Sequence, residues 1–257
     1  MNSKVIREYW SRANKYGDIR DGMETDNLKY AVWRDKLEKK TFKHIINKLF
    51  TSDIGYNVLD VGCGNGRWSK WLSYSHFPYF EVTAIDYSKG MVADAKRKDR
   101  ITEYIVADVR DFTTDEKYDI IYFNGVLQYI NDDEFVDVMS RYKNYLTDIG
   151  IIISRDSLSE YDISIVKARA DYQTLYRSKK NFDKLTNSAM LQVVGRCQAY
   201  EMPAKVVFGI EYLGGRGLNV IYKIPLIEGV LRKLYKVIRH KEYGEEDVNM
   251  YFSIIGW

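Results

Sequence analysis

The stretch "VLDVGCGNGRWSKWL", Val58 to Leu72, constrains the fold more than any other part of this chain. An apolar, strand-like run ends at Asp60 and Val61, Gly62, Gly64 and Gly66 follow at alternate positions, and a helix is expected from about Arg67. Glycine at that spacing lets the backbone pass close to a ligand and leaves amides at the helix N-terminus free to donate. The dinucleotide fingerprint G-x-G-x-x-G fails, because its sixth position is Arg67, and the phosphate-loop ending Gly-Lys-Ser/Thr is missing. A tight turn that holds no ligand remains an alternative on the glycines alone.

The strand-then-helix unit recurs. "EVTAID" precedes "SKGMVADAKRK", "ITEYIVAD" leads into a short connection, "YDIIYFNG" precedes "DDEFVDVMSRYKNYL", and "GIIISRD" follows. In the last of these helices Phe135, Val138, Met139, Tyr142 and Leu146 keep the steps of one buried face. Five alternations predict an α/β fold with a mostly parallel sheet covered on both faces. Before them, Leu28, Val32, Phe42, Ile45, Ile46 and Leu49 recur at largely helical spacing, so the chain opens with helices.

Length and composition bound the rest. The 257 residues, 46% of them apolar, suffice for a core and suit one domain with insertions. A net charge of +3 from 39 basic and 36 acidic residues does not announce a nucleic-acid binder. Two cysteines, Cys63 and Cys197, give neither a disulfide framework nor a metal cluster, and suggest a reducing compartment. The N-terminus is too charged for a signal peptide, and no apolar run approaches the roughly 20 residues that span a bilayer. A cytoplasmic protein is expected.

Two further acids bear on the glycine turn. Asp86 closes the second strand, where a carboxylate can accept both hydroxyls of a ribose, and Asp108 closes the third, where it can accept from an adenine amino group. Either alone reads as a helix cap. Three acids at the carboxyl ends of consecutive strands are harder to explain that way, and ligands of open α/β sheets bind at that edge.

With "VLDVGCGNGRWS", "VTAIDYS", "YIVADVRDF" and "YDIIYFNGVLQYI" in this order, the chain resembles the class I S-adenosylmethionine-dependent methyltransferases over about residues 56–155. The resemblance implies a Rossmann-like seven-stranded sheet with helices on both faces and an antiparallel edge formed by "CQAYEMP" and "VNMYFSIIGW". It implies S-adenosyl-L-methionine as cofactor. Asp60 and Gly62, Cys63, Gly64 and Gly66 would hold its methionine end, Asp86 beside Tyr87 its ribose, and Asp108 with the Val109 amide its adenine. Asn124, Gly125 and Val126 would lie beside the sulfonium. Trp10 or Tyr16, with Tyr9 a third candidate, would close over the cofactor; packing of the helix is the alternative for Trp10. "NGVL" stands where methyltransferases of nucleobase amino groups carry Asn/Asp-Pro-Pro-Tyr/Phe, which disfavours that acceptor.

One domain, 1–257, is expected: N-terminal helices over 1–55, a cofactor core over 56–155, and acceptor-binding insertions over 156–190 and 204–244. Asp156 is the candidate general base, with Arg155 beside it, and Tyr129, Tyr172, Tyr176 and Arg177 are candidate acceptor contacts; a solvated helical face with an internal ion pair is the alternative. Histidine contributes little, since His44, His76 and His240 lie outside these motifs. "RDS" with "YQTLYRS" resembles, more weakly, methyltransferases of glycan and sugar biosynthesis, which implies a sugar hydroxyl or amine as acceptor, lipid- or nucleotide-linked. The basic, amphipathic segment 226–241 would lie on an anionic membrane, meet a phosphorylated acceptor, or pack on its own domain. The alternatives are a protein amino-group methyltransferase, although the His and Asn such enzymes use stand here as Tyr129 and Ser157, and a cofactor-binding subunit without chemistry of its own.

Overall fold

The structure, a computed structural model, describes residues 2–13, 15–21, 28–51, 54–75, 78–159, 164–169, 172–199 and 248–257. The insertion expected over 204–244, with its basic segment 226–241, and His76 and His240 lie outside the described residues.

Seven strands form the main sheet: β1 (Gly55–Val61), β2 (Tyr79–Asp86), β3 (Glu103–Val106), β4 (Tyr118–Asn124), β5 (Leu146–Ser159), β8 (Gln192–Gln198) and β9 (Val248–Gly256). Their order is β3-β2-β1-β4-β5-β9-β8. The first five run parallel, and β9 is antiparallel to both β5 and β8. The strand order reverses between β1 and β4, and such a switch opens a crevice at the carboxyl ends of the strands. The seven-stranded sheet with an antiparallel edge is as expected, but β8 runs over Gln192–Gln198 and takes only Cys197 and Gln198 of the segment "CQAYEMP".

Alternation along the central strands feeds two apolar layers. Leu59, Val61, Ile121, Phe123 and Ile152 face α5 (Asp132–Lys143) and α6 (Lys179–Ser188), where Phe135, Val138, Met139, Tyr142 and Phe182 are buried. Val58, Ile120, Tyr122 and Ile153 face α2 (Leu28–Leu49) and α3 (Arg67–Ser73), where Phe42, Ile45, Ile46, Trp68 and Leu72 fill the opposite layer. Smaller packing of Val92 and Ala95 against Ala84 and Tyr104 holds α4 (Lys89–Lys98). The start of α5 is set locally: Asn131 Oδ1 accepts from the Glu134 amide at 2.9 Å while Glu134 Oε2 accepts from the Asn131 amide at 3.0 Å. Leu146 belongs to β5 rather than to the α5 face, because the helix ends at Lys143.

The expected opening helix is α2, but its buried face differs. Leu28, Val32 and Leu49 are exposed, whereas Ala31, Arg34, Glu38, Phe42 and Ile45 are buried. A charged pair at i and i+4 continues the inward stripe, which an apolar pattern alone does not reveal. Ahead of it, α1 (Ser3–Ser11) packs on β7, the second strand of a separate antiparallel pair formed by β6 (Ile165–Arg169) and β7 (Tyr172–Tyr176). That pair falls in the first expected insertion, in place of a helical face, and β7 also packs on the 3-10 turn η1 (Leu127–Tyr129) that follows β4. No helix among the described residues is long and apolar enough to cross a membrane.

Candidate active site

A cavity of about 430 Å³ opens at the carboxyl ends of β1, β2, β4 and β5. Its floor is the glycine turn. Gly62, Gly64 and Gly66 have φ of 76°, 55° and 80°, values that L side chains rarely adopt. The Gly62 and Cys63 amides donate to Ile85 O at 2.9 and 3.0 Å, which stitches the turn to β2. A Cβ on Gly62 would meet Val126 Cγ2 at 2.1 Å, and one on Gly66 would meet Tyr104 Oη at 2.6 Å. A Cβ on Gly64 would meet nothing within 4 Å, so the space on that side belongs to the cavity.

Asp86 stands beside this space. Its Oδ2 accepts from the Gly64 amide at 2.9 Å and its Oδ1 from the Ser88 amide at 2.8 Å. Burial pushes its carboxyl up to about 6, against the lowering effect of those two amides. An acid at the tip of β2 next to a side-chain-free turn fits the ribose and methionine portions of an adenosyl nucleoside. Cys63, Tyr87, Val109, Asn124 and Gly125 line the same cavity.

Other expected residues are placed differently. Asp60 is buried beneath the turn, where its Oδ2 accepts from Ser69 Oγ at 2.6 Å; it does not line the cavity, and burial pushes it up to about 7. Asp108 does line it, but its oxygens are occupied by arginines: Oδ2 accepts from Arg7 and Arg110 Nη2, both at 2.8 Å, and Oδ1 from Arg110 Nε at 2.8 Å and the Arg110 amide at 3.0 Å. Burial raises its carboxyl, yet Arg110 and Arg7 outweigh that and hold it low.

Trp10 lines the cavity from α1 and meets the Tyr129 ring edge-on at 5.4 Å. Tyr16 does not; its ring lies 4.0 Å from the Arg20 guanidinium, in a loop whose Lys15, Tyr16 and Gly17 amides all donate to Asp21.

On the acceptor side, Tyr129 and Tyr176 line the cavity, while Tyr172 is buried behind them, its hydroxyl 3.3 Å from that of Tyr129. Arg177 is not a contact of the cavity at all. It is buried, donating to Leu127 O at 2.6 Å, Ile130 O at 2.7 Å and Asp132 Oδ1 at 2.9 Å, so it fastens η1 to the start of α5.

Arg155 and Asp156 point to opposite faces of β5, as neighbours on a strand must. Arg155 lines the cavity, whereas Asp156 falls on the α5 and α6 side with Ile152 and Leu158, 3% exposed and away from the cavity. Burial there pushes Asp156 up to about 6 against the attraction of Arg177. The expectation that Asp156 faces the acceptor is corrected by this register.

The cluster the sequence did not suggest surrounds Glu38. Its Oε1 accepts from Arg155 Nη2 at 2.6 Å and Arg34 Nε at 2.8 Å, and its Oε2 from Arg67 Nη1 at 3.1 Å. Arg67 also reaches Asp35 Oδ1 at 2.8 Å, and Lys39 reaches Asp35 Oδ2 at 2.9 Å. Burial acts to raise Glu38, but the three guanidiniums outweigh it and hold the carboxyl far below the usual range. Arg34, Arg67 and Arg155 all line the cavity; Glu38 and Asp35 do not. The signal was present as Arg34 and Glu38 on the buried stripe of α2, and as Arg67 directly after the third glycine.

Residues 58–150 match the model of a methyltransferase domain family. The chain is similar to a malonyl-[acyl-carrier protein] O-methyltransferase of Bacillus cytotoxicus, 30% identical over 122 residues, covering 46% of this chain and 42% of the relative. It is also similar to an alpha N-terminal protein methyltransferase of Dictyostelium discoideum, 26% identical over 107 residues and covering 40% of each. Both alignments thus span less than half of the relative's length. Among solved structures, an S-adenosylmethionine-dependent methyltransferase of Leishmania major shares the fold with a TM-score of 0.68 at 17% identity, over 96% of this chain and 80% of that one. With the motif order and the sheet topology, residues 58–150 are a class I methyltransferase domain, of the family whose cofactor is S-adenosylmethionine.

Proposed function

We propose that this chain transfers a methyl group from S-adenosylmethionine to a small-molecule acceptor. The observation that carries the reading is the single cavity that joins the glycine turn and Asp86 on one side to Tyr129, Tyr176 and Arg155 on the other. When bound, the cofactor supplies an activated methyl on a sulfonium that leaves as a neutral thioether. The chain has to align the acceptor with that methyl and keep water out. In this reading the turn from Gly62 to Gly66 takes the methionine end, Asp86 accepts from the ribose hydroxyls, and Tyr87 and Val109 flank the adenine. Asn124 and Gly125 border the reacting centre, and Trp10 closes it from α1.

Residues 156–190 are the proposed acceptor side, since β7 packs on η1 and α1 and contributes Tyr176 to the cavity. A sugar would use the aromatic rings there. An amino group of a protein is the second reading, prompted by the Dictyostelium relative; Tyr129 and Ser157, which line the cavity, stand where such enzymes use His and Asn.

Calorimetry with S-adenosylhomocysteine tests the core of the proposal. One site per chain is expected, with Asp86→Ala weakening it by about tenfold or more, the scale of lost hydrogen bonds to a charged acceptor. No binding to the full chain would overturn the reading. Cofactor binding without release of S-adenosylhomocysteine on any acceptor would favour a non-catalytic subunit.

A further inference from the structure

We infer that the acceptor enters this cavity as an anion and is methylated on an acid oxygen, held by Arg155 and Arg34; the inference rests on the methyl-transfer reading above. Three guanidiniums, from Arg34, Arg67 and Arg155, converge on the cavity around one buried carboxylate, Glu38, and the second acid of the cluster, Asp35, is shared with Lys39. Cations therefore outnumber anions at this wall. Arg155 is 3% exposed, and its Nε has no hydrogen-bond partner among the described residues, a buried donor that an oxyanion in the cavity would satisfy.

The cofactor cannot neutralise this wall. It brings one carboxylate but also an ammonium and a sulfonium, a net charge of about +1 near neutral pH, where amines and carboxylates are ionised. One arginine can take the carboxylate; the surplus remains. Arg155 Nη1 lies 3.4 Å from Asn124 Oδ1, so the unbalanced charge sits at the tip of β4, beside the expected methyl.

The chemistry of the wall favours an acid oxygen over the other nucleophiles. An alcohol must give up its proton, yet no histidine lines the cavity among the described residues. The two acids that do, Asp86 and Asp108, are committed to backbone amides and arginines. An amine arrives mostly as ammonium, which three arginines repel. A carboxylate or phosphonate oxygen is already ionised. Its lone pair forms the C–O bond as the C–S pair returns to sulfur, giving an ester with one negative charge fewer than the acid and a neutral thioether, with no proton moved.

The test is calorimetry on the full chain loaded with S-adenosylhomocysteine, using malonate, methylphosphonate, methyl glucoside and ethanolamine as probes. Malonate, methylphosphonate or both should bind, and whichever binds identifies the source of the acid oxygen. Arg34→Gln should weaken that anion by about tenfold or more, the worth of a charge-assisted hydrogen bond, and change S-adenosylhomocysteine affinity by less than about threefold. Arg34→Gln and Arg155→Gln each remove a buried partner of Glu38, so the choice among the four probes by the unsubstituted chain keeps the test decisive if either variant fails to fold. Binding of the glucoside or of ethanolamine in place of the anions would overturn the inference. So would loss of S-adenosylhomocysteine rather than the anion in Arg34→Gln, because the arginines would then serve the cofactor alone. Failure of the unsubstituted chain to load S-adenosylhomocysteine would instead bring down the methyl-transfer reading itself.

Discussion

Three glycines two residues apart perform different tasks, and substitution separates them. Gly66→Ala forces φ near +80° on an L residue and drives a methyl against Tyr104 and Ala95, so it should cost about 2 kcal/mol or more and lower Tm by roughly 5 °C. Gly64→Ala meets no neighbour; its Tm should fall less than that of Gly66→Ala, while its methyl projects into the cavity and S-adenosylhomocysteine affinity drops by about tenfold or more. Thermal scans and calorimetry on the pair distinguish packing from ligand space. Asp86 adds a pH signature. With its carboxyl raised to about 6, acidification from pH 8 to pH 5 protonates an acceptor of the ribose hydroxyls, so cofactor affinity should weaken as pH falls through about 6, and Asp86→Asn should flatten that profile. The glycine turn and Asp86 were legible in the sequence because strand, turn and acid are local. Asp156 was not. Alternation along "SRDS" puts Arg155 and Asp156 on opposite faces but does not say which face is the cavity; the pairing of β5 with β4 and β9 decides that.

Elements were readable wherever one face is apolar, and were misread where buried charge replaces it. Arg177 illustrates the second case, since a lone arginine in "YRS" gives no sign of burial, yet it holds two backbone carbonyls and Asp132 at the η1–α5 junction. Arg177→Met should destabilise the fold by about 2–4 kcal/mol, since it strands buried carbonyls, and lower Tm by roughly 5–10 °C. Its effect on an acceptor's Michaelis constant should then follow from loss of η1 rather than of a contact. Thermal unfolding checks the first part, and Arg177→Lys, which cannot reproduce three directed bonds, should rescue little. The β6–β7 pair escaped prediction for a related reason. Its residues alternate imperfectly, and its packing on α1 and η1 is supplied by elements far away in sequence.

For the whole molecule, the buried acids give opposing pH dependences. Asp60, Asp86 and Asp156 are raised to about 7, 6 and 6, so the folded state binds protons more tightly than the unfolded chain between about pH 4 and 7. Their contribution to stability is present below about pH 4 and is lost as pH rises through 6 to 7. Glu38 is depressed, so its contribution is present above its unfolded value of 4.5 and is lost only on strong acidification. Without cofactor, urea unfolding should therefore show greater stability near pH 5 than near pH 8, and Asp60→Asn should reduce that difference. The parallel sheet and its reversed last strand were legible as strand–helix alternation plus family motif order; the electrostatic layer was not, because it joins distant segments. Arg155 reaches Glu38 across 117 positions of the chain. That span has a kinetic consequence. A carboxylate in α2 cannot shed its water until β5 is in place to replace it, so α2 should dock late, after the sheet has assembled, and Glu38→Gln, which leaves three guanidiniums without their carboxylate, should speed unfolding more than it slows refolding.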